Sequence, residues 1–355
     1  MIAVSNATNP LRFDPTRTKL LRDAFSKAIR GRLKRFHAEL IKLIVEEDAF
    51  GLKRAIAFNQ RFAFESTAAK RDEFVKWVEE KLGPVVDAAD TANLEDAYFH
   101  KFIQDGYVRG AGRAYDDTRK LERFSGRLEQ YQGGKREFLN LALNSPESIE
   151  KLKVLASRTF DDLVGMTGAL KTQLSRSLLD GMARGMNPRD VAKEMTKNMG
   201  MAYRRAELIA RTEIIRAHAE GSLDALENLG VDEIGVMVEW STAGDSRVCE
   251  LCASLEGTIF KTSEAHGMFP RHPACRCTPI PANIGEDKRG QVRGKEKVTK
   301  SIEESLRKEL SRRERKGLSK AQQTAKAREK SKWAGADKKV AKKRPQDAVE
   351  KLINE

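Results

Sequence analysis

All four cysteines of this 355-residue chain fall within 29 residues, together with two of its five histidines. The candidate metal ligands are Cys249, Cys252, His272, Cys275 and Cys277. A Cys-x-x-Cys turn brings two thiolates about one tetrahedral edge apart, and a second pair from a distant loop completes four-coordinate zinc. Because ligation stabilises the folded state, it would also help so short a loop region to fold. The spacing predicts a structural zinc site that uses four of these five residues.

Two other states of the four thiols stay open: a pair of disulfides, or free cysteines that only pack. Residues 1–10 lack the basic segment followed by an apolar stretch that a secretory signal requires. The chain is therefore expected to be made in a reducing cytoplasm, where disulfides are rare. This expectation favours metal binding over disulfides.

A zinc enzyme is an alternative, because His218-Ala-Glu220 followed by Cys249-x-x-Cys252 resembles the two halves of zinc-dependent deaminases. In those enzymes the histidine binds zinc, the glutamate transfers protons, and zinc lowers the pKa of water. Two features weigh against this interpretation. Val248 stands where the signature has proline, and His218 lies deep within a helical period. The second Cys/His group would also be redundant.

Several short motifs surround the cysteines in order along the chain. They are Gly181-Met-Ala-Arg-Gly185-Met-Asn-Pro188, Ala210-Arg211-Thr212-Glu213 with Arg216-Ala217, Trp240 through Cys252, Gly257 with Phe260, and His272-Pro-Ala-Cys275-Arg-Cys277. With this series, residues 179–280 resemble the phage Mu F-like head-morphogenesis family of minor capsid proteins. The first 95 residues and the C-terminal tail lie outside the resemblance.

The resemblance implies a virion protein with no enzymatic activity established by these motifs. Such a protein is expected in low copy near the portal, incorporated during head assembly, with a role in DNA packaging or ejection. The implied partners are the portal protein and the capsid shell. The expected location is the phage head, after synthesis in the host cytoplasm. An effector enzyme carried in the head is a further alternative.

Six more residues of the motif series are predicted to support the structure rather than to react: Trp240, Asp245, Arg247, Arg211, Glu213 and Arg216. Glu213 and Arg216 lie three apart on a helix, share a face and can form an ordinary ion pair. Asp245 and Arg247 are expected to orient the cysteine loop. Trp240, at the end of a strand, is expected in the core. No catalytic residue is predicted.

The periodicity of the apolar residues predicts the helices that must position these motifs. From Thr18 to Glu46, apolar residues recur every three or four positions, which predicts a long amphipathic helix. A second helix is predicted over residues 68–82, broken by Gly83-Pro84. A third spans about 94–124, where Gly110 indicates a kink or close packing.

The later helices are marked by their caps. Ser145 is the predicted N-cap before Pro146, and Asn187 stands before Pro188 in the same way. One helix begins there, and a further long helix is predicted over 202–228. These helices would precede the cysteine window directly.

After the last helix the period changes to that of a strand. Ile234, Val236, Val238 and Trp240 follow the two-residue repeat of a half-buried strand, and Gly257–Phe260 indicates another short one. The predicted fold is mainly α with a small α+β module near the C-terminus, built from short strands and a Cys/His loop. A basic, extended tail follows it.

Four regions follow from these patterns. They are an N-terminal helical region (1–135), the helical part of a Mu F-like domain (136–230), a small strand and loop module with the cysteines (231–285), and a basic C-terminal arm (286–355). Residues 231–285 are called the Cys-His module below, and residues 286–355 the basic arm.

The basic arm holds most of the charge. The chain has 66 Lys and Arg against 52 Asp and Glu, a net charge of +14, of which the arm supplies +11. Cations gain affinity for nucleic acid by releasing counterions from phosphates, so the arm is predicted to bind DNA without sequence preference. A solvated extension that its charge keeps soluble is the open alternative. The predicted contacts are Arg312, Arg313, Arg315, Lys316, Lys338, Lys339, Lys342, Lys343 and Arg344.

Composition disfavours several other classes of protein. Aromatic residues make up only 6% of the chain, which favours helices over a sandwich or barrel. No apolar run approaches the ~18 residues needed to span a bilayer. No Ser-His-Asp, P-loop or paired-carboxylate arrangement stands out. The sequence therefore predicts a structural and interaction protein rather than an enzyme or a membrane protein.

Overall fold

A computed structural model describes residues 14–52, 67–87, 94–120, 128–230, 236–245 and 247–283. The fold is mainly helical, with a small three-stranded antiparallel sheet beside the cysteines, and this confirms the predicted fold class. The basic arm lies outside the described residues. None of the helices in the described part of the chain is long and apolar enough to cross a membrane.

Eight α-helices and three strands follow one another in the described residues. The helices are α1 (Lys19–Ile41), α2 (Thr67–Val86), α3 (Tyr98–Thr118), α4 (Gly134–Leu143), α5 (Pro146–Ala183), α6 (Pro188–Asn228), α7 (Glu250–Leu255) and α8 (Thr262–Ala265). The strands are β1 (Val236–Ser241), β2 (Ile259–Phe260) and β3 (Thr278–Asn283). A π-helical turn, Lys42–Glu46, extends α1, and a 3₁₀ turn, Leu94–Asp96, precedes α3.

Two compact units divide these elements. Within the described residues, the first unit takes 14–20, 104–152 and 214–283, and the second takes 21–103 and 153–213. Helices α3, α5 and α6 each contribute residues to both units. The region boundaries at 135, 230 and 285 come from composition and motifs, and they stay predictions.

In the second unit, α1 buries the apolar stripe that the sequence predicts. Phe25, Ile29, Leu33 and Leu40 are fully buried and recur at spacings of four, four and seven residues along one face. Phe25 also stacks on Phe102, with ring centroids 4.9 Å apart. This stripe accounts for the long helix, because helices in proteins gain most of their stability from packing one face.

The predicted end of the second helix at Gly83-Pro84 is wrong, because α2 continues to Val86. Pro84 has no amide to bond the preceding turn, which ordinarily ends a helix. Here it stands near the C-terminus, and the last turn buries Val85 and Val86. The amide of Asp87 also donates to the carbonyl of Gly83 at 2.9 Å. Apolar burial and this bond offset the one that proline removes.

The two helices predicted after Asn187 form one continuous helix, α6, of 41 residues. Its first half buries Val191, Met195 and Met199, an i, i+4, i+8 series that continues without interruption. The predicted cap is present, because Asn187 Oδ1 accepts from the amide of Asp190 at 2.9 Å. Residues 188–228 are therefore a single helix.

In the first unit, α3 and α6 cross with their backbones in contact. A Cβ added at Gly110 would lie 1.9 Å from the carbonyl oxygen of His218, and one at Gly221 would lie 2.1 Å from that of Tyr107. Ser222 Oγ donates to the Gly110 carbonyl at 3.0 Å. The close packing predicted at Gly110 is confirmed, since only glycine leaves room for this approach.

The sheet has the strand order β2-β1-β3, and both pairs are antiparallel. Val238 of β1 pairs with Phe260 on one side and with Pro281 on the other. β3 is absent from the sequence prediction, because Thr278-Pro-Ile-Pro-Ala-Asn looks like a loop. Its two prolines are two residues apart at the edge of the sheet, so their missing amides fall on the unpaired side.

Candidate metal centre

Two short elements carry the predicted metal ligands of the Cys-His module. Cys249 is the N-cap of α7, and Cys252 lies in its first turn. The amide of Cys252 donates to Cys249 Sγ at 3.4 Å, so the helix start holds both sulfurs on the same side. The residues between the two Cys/His groups form the rest of α7, β2 and α8, which lead the chain to the loop before β3.

All five predicted ligands come together in two overlapping groups. Cys249, Cys252 and His272 form one group, and Cys252, Cys275 and Cys277 form the other, with the ligand atoms of each group within 4.8 Å of one another. Cys249 Sγ lies 3.1 Å from His272 Nε2, and Cys252 Sγ lies 3.8 Å from Cys275 Sγ. This buried Cys/His cluster could bind a metal ion, and Cys252 belongs to both groups.

The sulfur atoms strongly perturb one another's protonation. The hydrogen bond from Cys252, opposed by burial and reinforced by His272, lowers the pKa of Cys249 to about 4. The hydrogen bonds that Cys252 makes with Cys249 and Cys275 raise its own pKa. The thiolate is the form that binds metal. Cys249 is therefore in that form at neutral pH, whereas a metal would have to displace the proton of Cys252.

The orientation of His272 suits a metal ligand. Its Nδ1 lies 2.9 Å from the carbonyl oxygen of Pro273, which can only accept a hydrogen bond, so Nδ1 carries a proton. Nε2 is then the nitrogen that faces Cys249. Burial opposes protonation, but the contact with Cys249 raises the pKa of His272 to about 9, so a metal would also have to displace the proton on Nε2. Metal-binding histidines commonly have their second nitrogen held in this way, which fixes both the tautomer and the ring plane.

Asp245 ties the loop after β1 to the loop that carries the last cysteines. Arg276, between Cys275 and Cys277, donates to both carboxylate oxygens of Asp245, at 2.7 and 2.5 Å. Arg247 donates to the same carboxylate at 2.9 Å. These bonds hold the pKa of Asp245 well below its usual range, and the bonds from Arg276 contribute most. The sequence pattern pointed to Asp245 and Arg247, but it missed Arg276, since no spacing rule links positions 31 residues apart.

Trp240 lies at the centre of the module's core. Its side chain is fully buried and stacks on Phe269 with ring centroids 4.0 Å apart. It packs edge-on against Phe260 at 6.5 Å. Cys252, Cys275 and Cys277 are buried in the same hydrophobic cluster as this ring. The aromatic core and the cysteine cluster are therefore adjacent parts of one structure.

Of the supporting residues predicted on α6, Glu213 and Arg211 contact charged residues outside the cysteine cluster. Glu213 is buried, and its carboxylate lies 3.6 Å from Nε of Arg158 on α5. Arg211 donates to Glu207 one helical turn earlier at 3.0 Å. Arg216 is half-buried on the same helix. The specific Glu213–Arg216 ion pair stays a prediction.

The two halves of the deaminase-like motif do not meet. His218 is fully buried in α6 and belongs to neither of the two cysteine groups. Glu220 accepts hydrogen bonds from His266 Nδ1 at 2.7 Å and from the amide of Gly267 at 2.8 Å. His218 therefore does not complete a ligand group with Cys249 and Cys252 in the described residues.

A second polar cluster, unanticipated from the sequence, surrounds His266. Glu220, Asp224 and Glu227 occupy one face of α6 at i, i+4 and i+7, and His266 Nε2 lies 3.1 Å from Glu227 Oε1. Lys151 of α5 reaches Asp224 Oδ1 at 2.5 Å. Burial alone would lower the pKa of His266, but its bond to Glu220 raises it. The helical spacing of the three carboxylates is the one signal that could have found this cluster.

The His266 cluster is an ion-pair network rather than a second metal centre. Asp224, Glu227 and His266 are close enough to hold a cation. However, the ammonium group of Lys151 already occupies the Asp224 oxygen that would be a ligand. Tyr107 of α3 donates to the other oxygen of Asp224 at 2.6 Å, and Ser148 contacts the same hydroxyl at 2.9 Å.

The nine predicted DNA contacts of the basic arm lie outside the described residues. They are Arg312, Arg313, Arg315, Lys316, Lys338, Lys339, Lys342, Lys343 and Arg344. Their role stays a prediction.

An uncharacterized protein of Haemophilus influenzae is 29% identical over 143 residues, which are 39% of this chain and 31% of that relative. The match thus spans about a third of the relative's length. No solved structure matches this chain significantly.

The family comparison covers the site itself. Residues 172–280 match the family model described as Phage Mu protein F like protein. This segment contains the end of α5, all of α6 and the whole described Cys-His module as far as β3. The family implies phage head morphogenesis. The resemblance predicted from the motif series is confirmed, and residues 172–280 are a Phage Mu protein F-like region.

Proposed function

We propose that the protein is a minor head protein of a phage, incorporated near the portal while the head assembles. The match over residues 172–280 carries this proposal, because it spans α6 and the Cys-His module together. In this role the protein contacts the portal protein and the capsid shell through its helices. Its contribution is structural, and the Cys-His module fixes a binding shape rather than performing a reaction.

The basic arm is the proposed contact with packaged DNA. A net charge of +11 in 70 residues gives counterion release a large share of the binding free energy, without any reading of base sequence. Such a contact near the portal suits a role in packaging or ejecting DNA. The nine predicted contacts lie in its two densest clusters, residues 312–316 and 338–344.

A structural zinc ion is the proposed cofactor, held by Cys249, Cys252, His272 and Cys275. Cys252 is shared by both ligand groups, and the distances to its neighbours are compatible with a tetrahedral site. Cys275 is chosen over Cys277 because its Sγ lies 3.8 Å from that of Cys252 and accepts from the amide of Cys277 at 3.5 Å. When bound, zinc would cross-link the start of α7 to the loop before β3.

The head role is tested in a phage that carries this reading frame. Heads purified from the intact phage are compared with heads from a deletion mutant and from the mutant complemented with the full chain. We expect the chain in mature heads at a copy number far below that of the shell protein, cross-linked to portal subunits. Deletion should give particles that fail to package or to deliver DNA. Infective heads that contain no copy of the chain would overturn the proposal.

The arm is tested separately in the full chain. A variant with the nine cations replaced by glutamine is compared with the wild type in duplex-DNA binding between 50 and 300 mM salt. We expect weaker binding with a shallower dependence on salt. If the variant and the wild type bind DNA equally at both 50 and 300 mM salt, the arm does not bind DNA. The proposed head role would be unaffected by that result.

A further inference from the structure

We propose that the exposed face of α1 is a contact site for duplex DNA, separate from the basic arm. This basic face consists of Lys27, Arg30, Lys34 and Arg35, all in the second unit. It lies far in sequence from the Mu F-like region. The proposal depends on the charges of α1 and not on the head role.

The basic face follows from the way α1 buries its other side. The apolar stripe from Phe25 to Leu40 faces the core, so the side chains between its members point outward. All four cations are exposed, and no acidic residue stands between Lys27 and Arg35. Cations three or four residues apart rise about 5 Å along the helix axis from one to the next. Lys27, Arg30 and Lys34 thus form one line of positive charge, and Arg35 widens it around the helix.

These charges are free to bind a ligand within the described part of the chain. Lys27, Lys34 and Arg35 form no salt bridge with a carboxylate there. Arg32, by contrast, donates to the carbonyl of Pro84 at 3.0 Å and lies over a tyrosine ring. Glu39, the next acidic residue of α1, is neutralised by a lysine of α2 at 3.3 Å.

The adjoining stretch of α6 extends the same positive surface. The guanidinium of Arg30 lies 5.8 Å from the ring centroid of Tyr203. His37 Nε2 lies 3.1 Å from Thr196 Oγ1, which brings this part of α6 alongside α1. Lys193 and Arg204 are exposed on α6 in the same stretch. The surface therefore spans two helices and offers an aromatic ring beside its cations.

The composition of the face favours DNA over a protein partner. Small residues accompany the cations along this side of α1, namely Ala24, Gly31 and Ala38, and a Cβ at Gly31 would meet nothing within 4 Å. Small residues let a phosphate backbone approach the helix closely. Protein interfaces rely on aromatic and large apolar anchors and contain few lysines. Interfaces with DNA are more polar and much more positive.

The test uses the full chain and a 30-base-pair duplex. In the face variant, Lys27, Arg30, Lys34 and Arg35 become glutamine, which keeps a good helix former at each position. In the matched control, four exposed cations of other helices become glutamine: Lys76, Lys101, Arg136 and Arg176. Both sets are also made in the arm-neutralised chain, and affinity is measured from 50 to 300 mM salt. Circular dichroism confirms equal folding.

Loss of four phosphate contacts should reduce the slope of log affinity against log salt by about 3 to 4, and affinity at 50 mM by about 100-fold. The control should change both quantities far less, and the face should act with or without the arm. An unchanged slope, or an equal loss in the control, would overturn the proposal. So would a face variant that loses binding to poly-glutamate while keeping its affinity for DNA, because that result would assign the face to an acidic protein.

Discussion

The long helices and the Cys-His module achieve their order in different ways. Helix α1 buries an apolar side chain at every turn, and α6 does the same along 41 residues. The module has one helix of six residues, one of four, and a sheet whose strands have six, two and six residues. Besides the pairing of these strands, its chain is held by a few specific links between distant loops. Loss of one link should therefore affect the module far more than loss of one contact affects the helices.

The module's links are of three chemical kinds. Aromatic packing centres on Trp240, charge pairing on Asp245 with Arg276, and the cysteine cluster on Cys252. The aromatic packing resembles an ordinary core, but the charge pairing and the cysteine cluster depend on deprotonated groups. We therefore expect chelators and charge-removing substitutions to unfold the module while the helices stay folded. A backbone clash within the helices should not have this selective effect.

The largest effect is expected from removing the metal or its shared ligand. A strong chelator, or Cys252→Ser, should abolish the ordered environment of Trp240 while the helices persist. The reason is that structural zinc sites contribute on the order of 10 kcal/mol to folding. Trp240 fluorescence is measured in a Trp77→Phe, Trp333→Phe background, and helicity by circular dichroism. Retained Trp240 order after complete metal loss would contradict the prediction.

The same measurement distinguishes the proposed ligand set from the fifth candidate. Metal content is determined for Cys275→Ser and Cys277→Ser in parallel, since these cysteines are two residues apart and both buried. We expect Cys275→Ser to lose the metal and Cys277→Ser to retain about one ion per chain. The opposite pattern would show that Cys277, and not Cys275, is the fourth ligand.

A backbone clash between helices should be the next largest effect. Gly110→Ala places a methyl group 1.9 Å from the His218 carbonyl, and we expect a loss of about 2–3 kcal/mol in the free energy of unfolding. Gly165→Ala on α5 is the matched control, since a Cβ there meets nothing within 4 Å. It should stabilise the chain by about 0.5–1 kcal/mol. Urea unfolding followed at 222 nm checks both, and equal effects would contradict the close crossing.

The helices and the module also differ in how far the sequence foretold them. The 3.6-residue period and the caps predicted α1 and the starts of α5 and α6, because those signals are local. The end of α2 was missed, since burial of Val85 and Val86 is a tertiary effect. Likewise β3 exists only because β1 offers it a partner.

At the candidate site, the residue types were predictable but the pairings were not. Cysteine spacing identified all five metal candidates, because Cys-x-x-Cys places two ligands by itself. The bond from Arg276 to Asp245 crosses 31 residues, and that from Lys151 to Asp224 crosses 73. One sequence carries no signal for such long-range pairs beyond the charges themselves.

A smaller effect is expected from the charge pairing around Asp245. Asp245→Asn removes the charge that Arg276 contacts with two hydrogen bonds, and both side chains are nearly buried, at 10% and 13% exposed. We expect a loss of about 2 kcal/mol from the module, read from the unfolding of Trp240. Arg247→Gln is the control, since that side chain is 70% exposed and its ion pair should contribute less than about 1 kcal/mol. Equal losses would contradict a special role for Arg276.

The smallest effect is a pH dependence that the helices alone should lack. His266 faces Glu220, Asp224 and Glu227 of α6 and Lys151 of α5. Its pKa is raised above 6.5, so its stabilisation is complete below that pH and is lost as pH rises through the folded value. The pKa of Glu220 is lowered below 4.5, where burial opposes but the bond to His266 prevails, so its contribution is lost as pH falls through the folded value.

The two shifts together confine the full contribution of this pair to the interval between about pH 4.5 and 6.5. The wild type should therefore exceed His266→Gln by about 1 kcal/mol in that interval and by less at pH 8.5. The difference between the two chains is measured by urea unfolding at each pH, so that titration of the cysteine cluster cancels. If the difference in unfolding free energy between the two chains stays constant from pH 5 to 8.5, His266 acts by packing. The contrast between a charge-linked module and an apolar helical body would then rest on the cysteines and Asp245 alone.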